Sequence, residues 1–231
     1  MALILNIETT TPVGSVSLTK DGLTWVMREI HDSSDHAKNL TLFIQEILST
    51  ANCKLSDLDA IAVSAGPGSY TGLRIGISVA KGLCYTLQKP LLAVNTLQAM
   101  AYGSISQHDI GEKDIIVCLQ DARRMDAFAA VYDCNLEVLK APFFITLEAF
   151  SFAELAVEAG KIWVCGTAAK KWMEVVSPSL SVECAKVLAP SSRFLEALGF
   201  KAFKEEQFED VAYYEPFYLK APNVTKPKKI F

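Results

Sequence analysis

The chain opens with apolar and polar positions alternating at a period of two: ALILNIE over 2–8, VGSVSLT over 13–19 and LTWVMREI over 23–30, separated by TTTP and by Lys20-Asp21-Gly22. That period puts successive side chains on opposite faces of a strand, and Asp-Gly favours a two-residue hairpin, so the three runs predict an antiparallel meander. The period then changes. Leu40, Phe43, Ile44, Ile47 and Leu48 fall at i, i+3, i+4, i+7 and i+8, the stripe of a helix with one buried face, and Asp35 or Ser34 can cap it. After KLSDLD come a buried strand over 59–65 (DAIAVSA), the glycine-rich GPGSYTG, a helix over about 70–88 and a strand over 90–95 (PLLAVN), which together make a β-α-β unit.

From about residue 115 the order begins again. Strand IIVCLQD, a polar turn at ARRM, strand DAFAAVYD, a turn at Cys134-Asn135 and strand LEVLKAP are followed by two expected helices. Ser151 and Glu154 offer a capping box for the first, and strand IWVCG ends at Gly166 before the second. One grammar is repeated at an offset of roughly 100–112 residues, and it predicts two α/β lobes, 1–105 and 106–231, with the extreme C-terminus returning to the first.

Composition narrows the picture. With 51% hydrophobic and 21% charged residues the chain is globular, not disordered. A net charge of −4 argues against a surface-wide nucleic-acid platform, so any nucleic-acid contact must be local, through Arg123 and Arg124 or the basic stretch Lys226-Pro227-Lys228-Lys229, which reads first as a solvated tail. The six cysteines form no C-x-x-C pair and read as reduced core thiols. The opening MALILNIETT resembles neither a secretory signal nor a membrane span, so a cytoplasmic location with no membrane partner is expected.

The densest signal is Gly66-Pro67-Gly68-Ser69-Tyr70-Thr71-Gly72-Leu73-Arg74-Ile75-Gly76, where a buried strand passes into a helix. Backbone N–H groups at a helix start attract anions, so Gly66, Gly68, Ser69 and Gly72 are candidate anion or nucleotide-proximal residues; the alternative is a tight strand-to-helix turn. The spacing matches neither a P-loop nor a dinucleotide fingerprint. Gly72, Gly76 and Ala80 lie four apart, and each internal glycine costs on the order of 1 kcal/mol relative to alanine. Close packing must compensate, either within the chain or across a subunit contact. Leu40, Phe43, Ile44, Ile47, Gly72, Ile75, Gly76 and Val79 are therefore candidate interface residues.

Together, ILNIETTTPVGSVSL, HAKNLTLFIQEIL, LSDLDAIAVSAGPGSYTGLRIGISVAKGL, PLLAVNTLQAMA and DARRMDAF resemble the TsaB (YeaZ) family, most specifically over residues 55–101. The resemblance implies two RNase H-like lobes of the type shared by actin, sugar kinases and Hsp70 (the ASKHA type). It also implies a non-catalytic dimerisation subunit of the machinery that transfers threonylcarbamoyl to N6 of an adenosine in tRNA, with a TsaD-type catalytic subunit and a TsaE-type ATPase as partners, a homodimer in isolation, and tRNA reached through the complex. No intrinsic cofactor is implied; ATP or ADP would bind only within the assembled complex. Where the related TsaD proteins have two metal-binding histidines four apart on a helix, this chain has Thr96 and Met100, which cannot replace two imidazoles. Glu8, followed by Thr9, stands where the ASKHA fold commonly places a nucleotide-organising aspartate, with Asp121 as its second-lobe echo; each can also be read as a polar strand end facing the cleft. The competing class is an actin-like enzyme with its own ATP site, its phosphates at Gly66–Gly72 and its metal held through Glu8.

Overall fold

The computed structural model describes residues 1–30, 36–157 and 159–220, with the backbone alone at residues 36–38. The cap expected at Asp35 or Ser34 and the basic stretch Lys226–Lys229 lie outside the described residues. The meander forms as predicted: β1 (Leu3–Glu8), β2 (Gly14–Lys20) and β3 (Leu23–Ile30) pair antiparallel in sequence. Asp21 and Gly22 turn the hairpin at φ 51° and 82°, the paired left-handed conformation that matches strand twist. Helix α1 (His36–Thr50), β4 (Ala60–Gly66), α2 (Tyr70–Leu87), β5 (Leu91–Asn95) and α3 (Thr96–Gln107) follow. β4 lies parallel to both β1 and β5, so the first sheet runs β3-β2-β1-β4-β5.

The second lobe repeats this order. It comprises β6 (Ile115–Asp121), β7 (Asp126–Asp133), β8 (Val138–Thr146), α4 (Ala153–Ala156), β9 (Ile162–Cys165), α5 (Ala169–Met173) and β10 (Val182–Cys184). Read from β8 the sheet runs β8-β7-β6-β9-β10, with the antiparallel and parallel pairings of the first sheet in the same places.

Two local expectations need correcting here. The strand expected over 136–142 begins later and runs on through FFIT, because Leu136, at φ 68°, belongs to a turn held by Asp133 Oδ1, which accepts from the backbone N–H of Asn135 and Glu137 at 2.9 and 2.8 Å. The Ser151–Glu154 capping box does not form. Phe152 takes a left-handed conformation at φ 66°, the Ser151 hydroxyl accepts from the Glu148 backbone N–H at 2.9 Å, and Glu154 pairs with Lys140.

α1 and α2 lie side by side on one face of the first sheet, over Leu5, Ile7, Val16, Leu18, Ile61 and Val63. The opposite face, with Ile4, Ala60, Ala62 and Leu92, is covered from far along the chain: Ala202, Phe200 and Phe203 of α6 (Glu196–Lys204) pack there, and the 3₁₀ turn Ser192–Leu195 sits beside them. In the hairpin, a Cβ on Gly22 would stand 2.9 Å from the Phe200 ring, so glycine serves both the turn and the packing. Covering both faces explains why β1 is buried along nearly its whole length instead of alternating.

The final described segment packs on the first lobe. The Glu209 N–H donates to the Leu91 carbonyl at 2.9 Å, the Phe217 N–H donates to Ala65 O at 2.8 Å, and Lys81 Nζ clasps the carbonyls of Ala212 and Tyr214 at 3.2 and 3.0 Å. Lys220 Nζ then reaches the second lobe, 4.3 Å from the centre of the Phe144 ring. The segment is a strap across both lobes. No helix among the described residues is long and apolar enough to cross a membrane.

Candidate functional site

The glycine-rich turn is locked onto the turn between β1 and β2. The Thr9 hydroxyl donates to the Gly72 carbonyl at 2.8 Å, and the Ser69 N–H donates to Thr10 O at 2.7 Å. A Cβ on Gly72 would overlap the Thr9 carbonyl oxygen, one on Gly76 the Thr9 hydroxyl, and one on Gly68 would stand 2.5 Å from Thr10 Cβ. Gly66 turns the chain at φ 110°, beneath the Phe217 carbonyl. Ser69 caps α2, its hydroxyl accepting from the Gly72 N–H at 3.2 Å, and its carbonyl takes the Leu73 N–H at 2.8 Å. Three of the donors that an anion cradle would use are therefore engaged within the chain, and the tight-turn alternative describes this segment.

Burial corrects most of the candidate interface residues. Leu40, Ile44 and Ile47 of α1 and Gly72 and Gly76 of α2 face the chain's own sheet and the β1–β2 turn, so the glycine stripe serves intrachain packing. Phe43, Ile75 and Val79 are half-buried at the margin of the same core.

Glu8 corrects both of its sequence readings, because it does not face the cleft. It is fully buried, its Oε1 accepting from the Thr10 N–H and hydroxyl, each at 2.5 Å, and its Oε2 from the Ser64 hydroxyl. Desolvation pushes its carboxyl above the ordinary carboxylate range, opposed by the hydrogen bonds from Ser64 and Thr10. A raised folded-state pKa means that the folded protein binds the proton more tightly than the unfolded chain. The group's contribution is then full below the ordinary carboxylate pKa and is lost as pH rises through the folded value. Replacing the acid by the Glu8→Gln variant is expected to remove that loss: as pH rises from about 5, the urea midpoint of the natural protein should fall relative to the variant. A difference that stays constant over that rise would show that Glu8 does not titrate there.

Between the lobes lies a cleft of about 490 Å³, lined by Thr10, Thr11, Ser69 and Tyr70 from the first lobe and Gln120, Asp121 and Arg123 from the second, with the strap residues Phe217–Lys220 along one wall. Asp121 is at the mouth, already engaged: its Oδ1 accepts from the Arg123 N–H at 2.6 Å and from Lys171 Nζ at 3.0 Å. Lys171 also takes the carbonyls of Arg124 and Asp126 at 2.6 and 2.9 Å, which fixes a turn where Arg123 and Arg124 stand at φ 75° and 51°. Gln120, buried at the cleft floor, donates to Thr10 O at 3.4 Å and leaves its Oε1 without a partner. Thr96 and Met100 are fully buried on α3, and a hydroxyl and a thioether are not the donor pair for zinc or iron. Among the described residues no group of three or more His, Cys, Asp or Glu could hold a metal ion.

The outward face of α2 is the feature that sequence reading missed. Arg74, Ser78, Gly82 and Tyr85 are exposed along it, and Tyr70, Thr71, Arg74, Ile75, Ser78 and Val79 line a shallow groove. Leu42 of α1 and Tyr85 of α2 are large apolar side chains left 46% and 75% exposed on this layer. Gly82 differs from the glycines at the turn, since no atom beyond its own helix backbone and immediate neighbours comes within 4 Å of where its Cβ would stand. A mid-helix glycine with no internal reason is a signal that the sequence did contain.

The family model for TsaD, tRNA N6-adenosine threonylcarbamoyltransferase, matches residues 31–224. The chain is similar to the tRNA threonylcarbamoyladenosine biosynthesis protein TsaB of Escherichia coli (strain K12), with 30% identity over 228 residues covering 94% of this chain and 94% of that protein. It matches the solved structure of YeaZ from Pseudomonas aeruginosa with a TM-score of 0.79 at 28% identity, over 95% of this chain and 100% of the other. The ROK hexokinase of Thermus thermophilus has only 10% identity but a TM-score of 0.51 over 89% of this chain and 99% of its own. That likeness concerns fold alone, and it places the two repeated lobes in the ASKHA type.

Proposed function

This chain belongs to the TsaB (YeaZ) family, and from that premise we propose that it is a non-catalytic docking subunit in threonylcarbamoyladenosine formation on tRNA. Its partner in this reading is a TsaD-type catalytic subunit, which shares the family model matched here, and a TsaE-type ATPase joins the assembly. The observation that carries the reading is the outer face of α2 and α1, where exposed Leu42 and Tyr85 flank a helix whose Gly82 leaves room for another backbone. Two such helix pairs related by a twofold axis could bury roughly 1,200–2,000 Å² in total. The same surface serves a cytoplasmic homodimer as a resting form and the catalytic partner in the active one, so the two assemblies exclude each other.

Nucleotide enters only with the assembled complex, and tRNA is reached through it. Supporting this, the Glu8 carboxylate is spent on Thr10 and Ser64 and is not presented to a metal-bound phosphate. The competing reading, an enzyme with its own ATP site, has the cleft volume and the unpartnered Gln120 Oε1 in its favour. One experiment separates the two. The chain is purified with and without the catalytic subunit from the same organism, and stoichiometry, metal content, ATP hydrolysis and threonylcarbamoyl transfer are measured. Transfer is expected only in the mixture, with no activity in the isolated chain. Turnover by the isolated chain at about 1 per second or faster would replace the subunit reading with the enzyme reading.

A further inference from the structure

The outer face of α2 carries one charge that no described carboxylate pairs with. Arg74 is exposed, and its guanidinium lies 4.2 Å from the centre of the Tyr70 ring. The ring of Tyr218, from the strap, stands 4.9 Å from that of Tyr70. Among the described residues no carboxylate forms an ion pair with it. A long cationic side chain on a surface normally samples many rotamers. Here the Tyr70 ring, itself packed on Tyr218 from a distant part of the chain, orders it before any partner arrives, so less freedom is lost on binding.

Arg74 also lines the groove that a docking helix would fill. Bringing a guanidinium against an apolar surface is unfavourable unless a carboxylate meets it. The two helices of this face in a second copy are poorly equipped to supply one. α2 contains no acidic residue, and its other cation, Lys81, is turned to the strap. α1 contains one acid, Glu46, whose carboxylate is already held by Arg28 at 3.1 Å. Charge therefore separates the two possible occupants of the same face, and separation of this kind is how one surface prefers one partner over another.

We infer that Arg74, ordered by the Tyr70 ring, is the specificity-determining residue of this face: it selects an apolar helix bearing a carboxylate and disfavours a second copy of the chain. The inference rests on the docking role proposed above and names the chemistry of the partner that role requires.

The test is the Arg74→Met variant, which keeps an apolar stem and removes the charge. Homodimer dissociation is measured by sedimentation equilibrium, and affinity for the organism's tRNA N6-adenosine threonylcarbamoyltransferase subunit by calorimetry, at about 50 and about 300 mM salt. The two affinities are expected to move in opposite directions: the mixed complex weakens about tenfold and loses its salt dependence, while the homodimer tightens. Tyr70→Leu, which removes the ring beneath the guanidinium, should shift both in the same senses by less. If Arg74→Met weakens both associations together, its role is general packing and the inference is overturned. If it changes neither while Gly82→Arg abolishes both, the docking face stands and the selecting role of Arg74 does not. If Gly82→Arg also leaves both intact, the docking reading itself fails and the inference falls with it.

Discussion

Gly72→Ala is expected to lower the melting temperature by about 6–12 °C, whereas Gly82→Ala, later in the same helix, should raise it by about 2–4 °C. Both substitutions gain about 1 kcal/mol of helix propensity. At Gly72 the added methyl overlaps the Thr9 carbonyl oxygen, a backbone atom that cannot swing aside. Overpacking of this kind costs about 1–3 kcal/mol or more. Moving Thr9 away also breaks its hydroxyl's hydrogen bond to the Gly72 carbonyl, and leaving that buried hydroxyl unpaired adds about 1–3 kcal/mol. The net loss is roughly 3 kcal/mol. At Gly82 the methyl meets nothing within 4 Å and only the propensity gain remains. Thermal and urea unfolding of the two variants check the pair; equal shifts of the same sign would mean that the turn between β1 and β2 does not press on α2.

The second large effect concerns assembly. Gly82→Arg is expected to fold with a melting temperature no lower than the natural protein, because arginine is a good helix former and the position is open. The same side chain placed at the closest approach of a partner helix should reduce association with both the catalytic subunit and a second copy by at least about 100-fold, a cost near 2.7 kcal/mol. Threonylcarbamoyladenosine in tRNA from cells carrying only this variant should fall accordingly. Circular dichroism and melting establish folding, sedimentation establishes association, and nucleoside analysis establishes modification. A folded variant that still associates and still supports modification would place the contact on another surface.

Periodicity alone located the meander, the β-α-β unit and their repeat, because those patterns reflect which faces are buried, and burial is what the structure realises. The direction of a small-residue stripe was not legible in the same way. Gly72, Gly76 and Ala80 announce a close approach, and only the position of Thr9, brought back by the β1–β2 turn, shows that the approach is internal. Gly82 stands off that stripe and was passed over, although its lack of an internal contact makes it the more telling glycine. The family motif over 55–101 does not divide its inward residues from its outward ones. The Ser151–Glu154 capping box failed for a local reason, since the hydroxyl closed on Glu148 before a helix could use it. Nothing periodic announced the cover supplied by α6 and the strap, which act through contacts across most of the chain length.

That cover has a consequence for how the protein is made. The first sheet is finished by residue 95, yet Ile4, Ala60, Ala62 and Leu92 wait on Ala202 and its neighbours, and the end of β4 waits on Phe217. During synthesis from the N-terminus, the lobe that begins folding first is the last to be sealed, and its apolar face stays open while the whole second lobe emerges from the ribosome. Chains released early would carry that open face into the cell as a chaperone substrate instead of a shortened but working lobe.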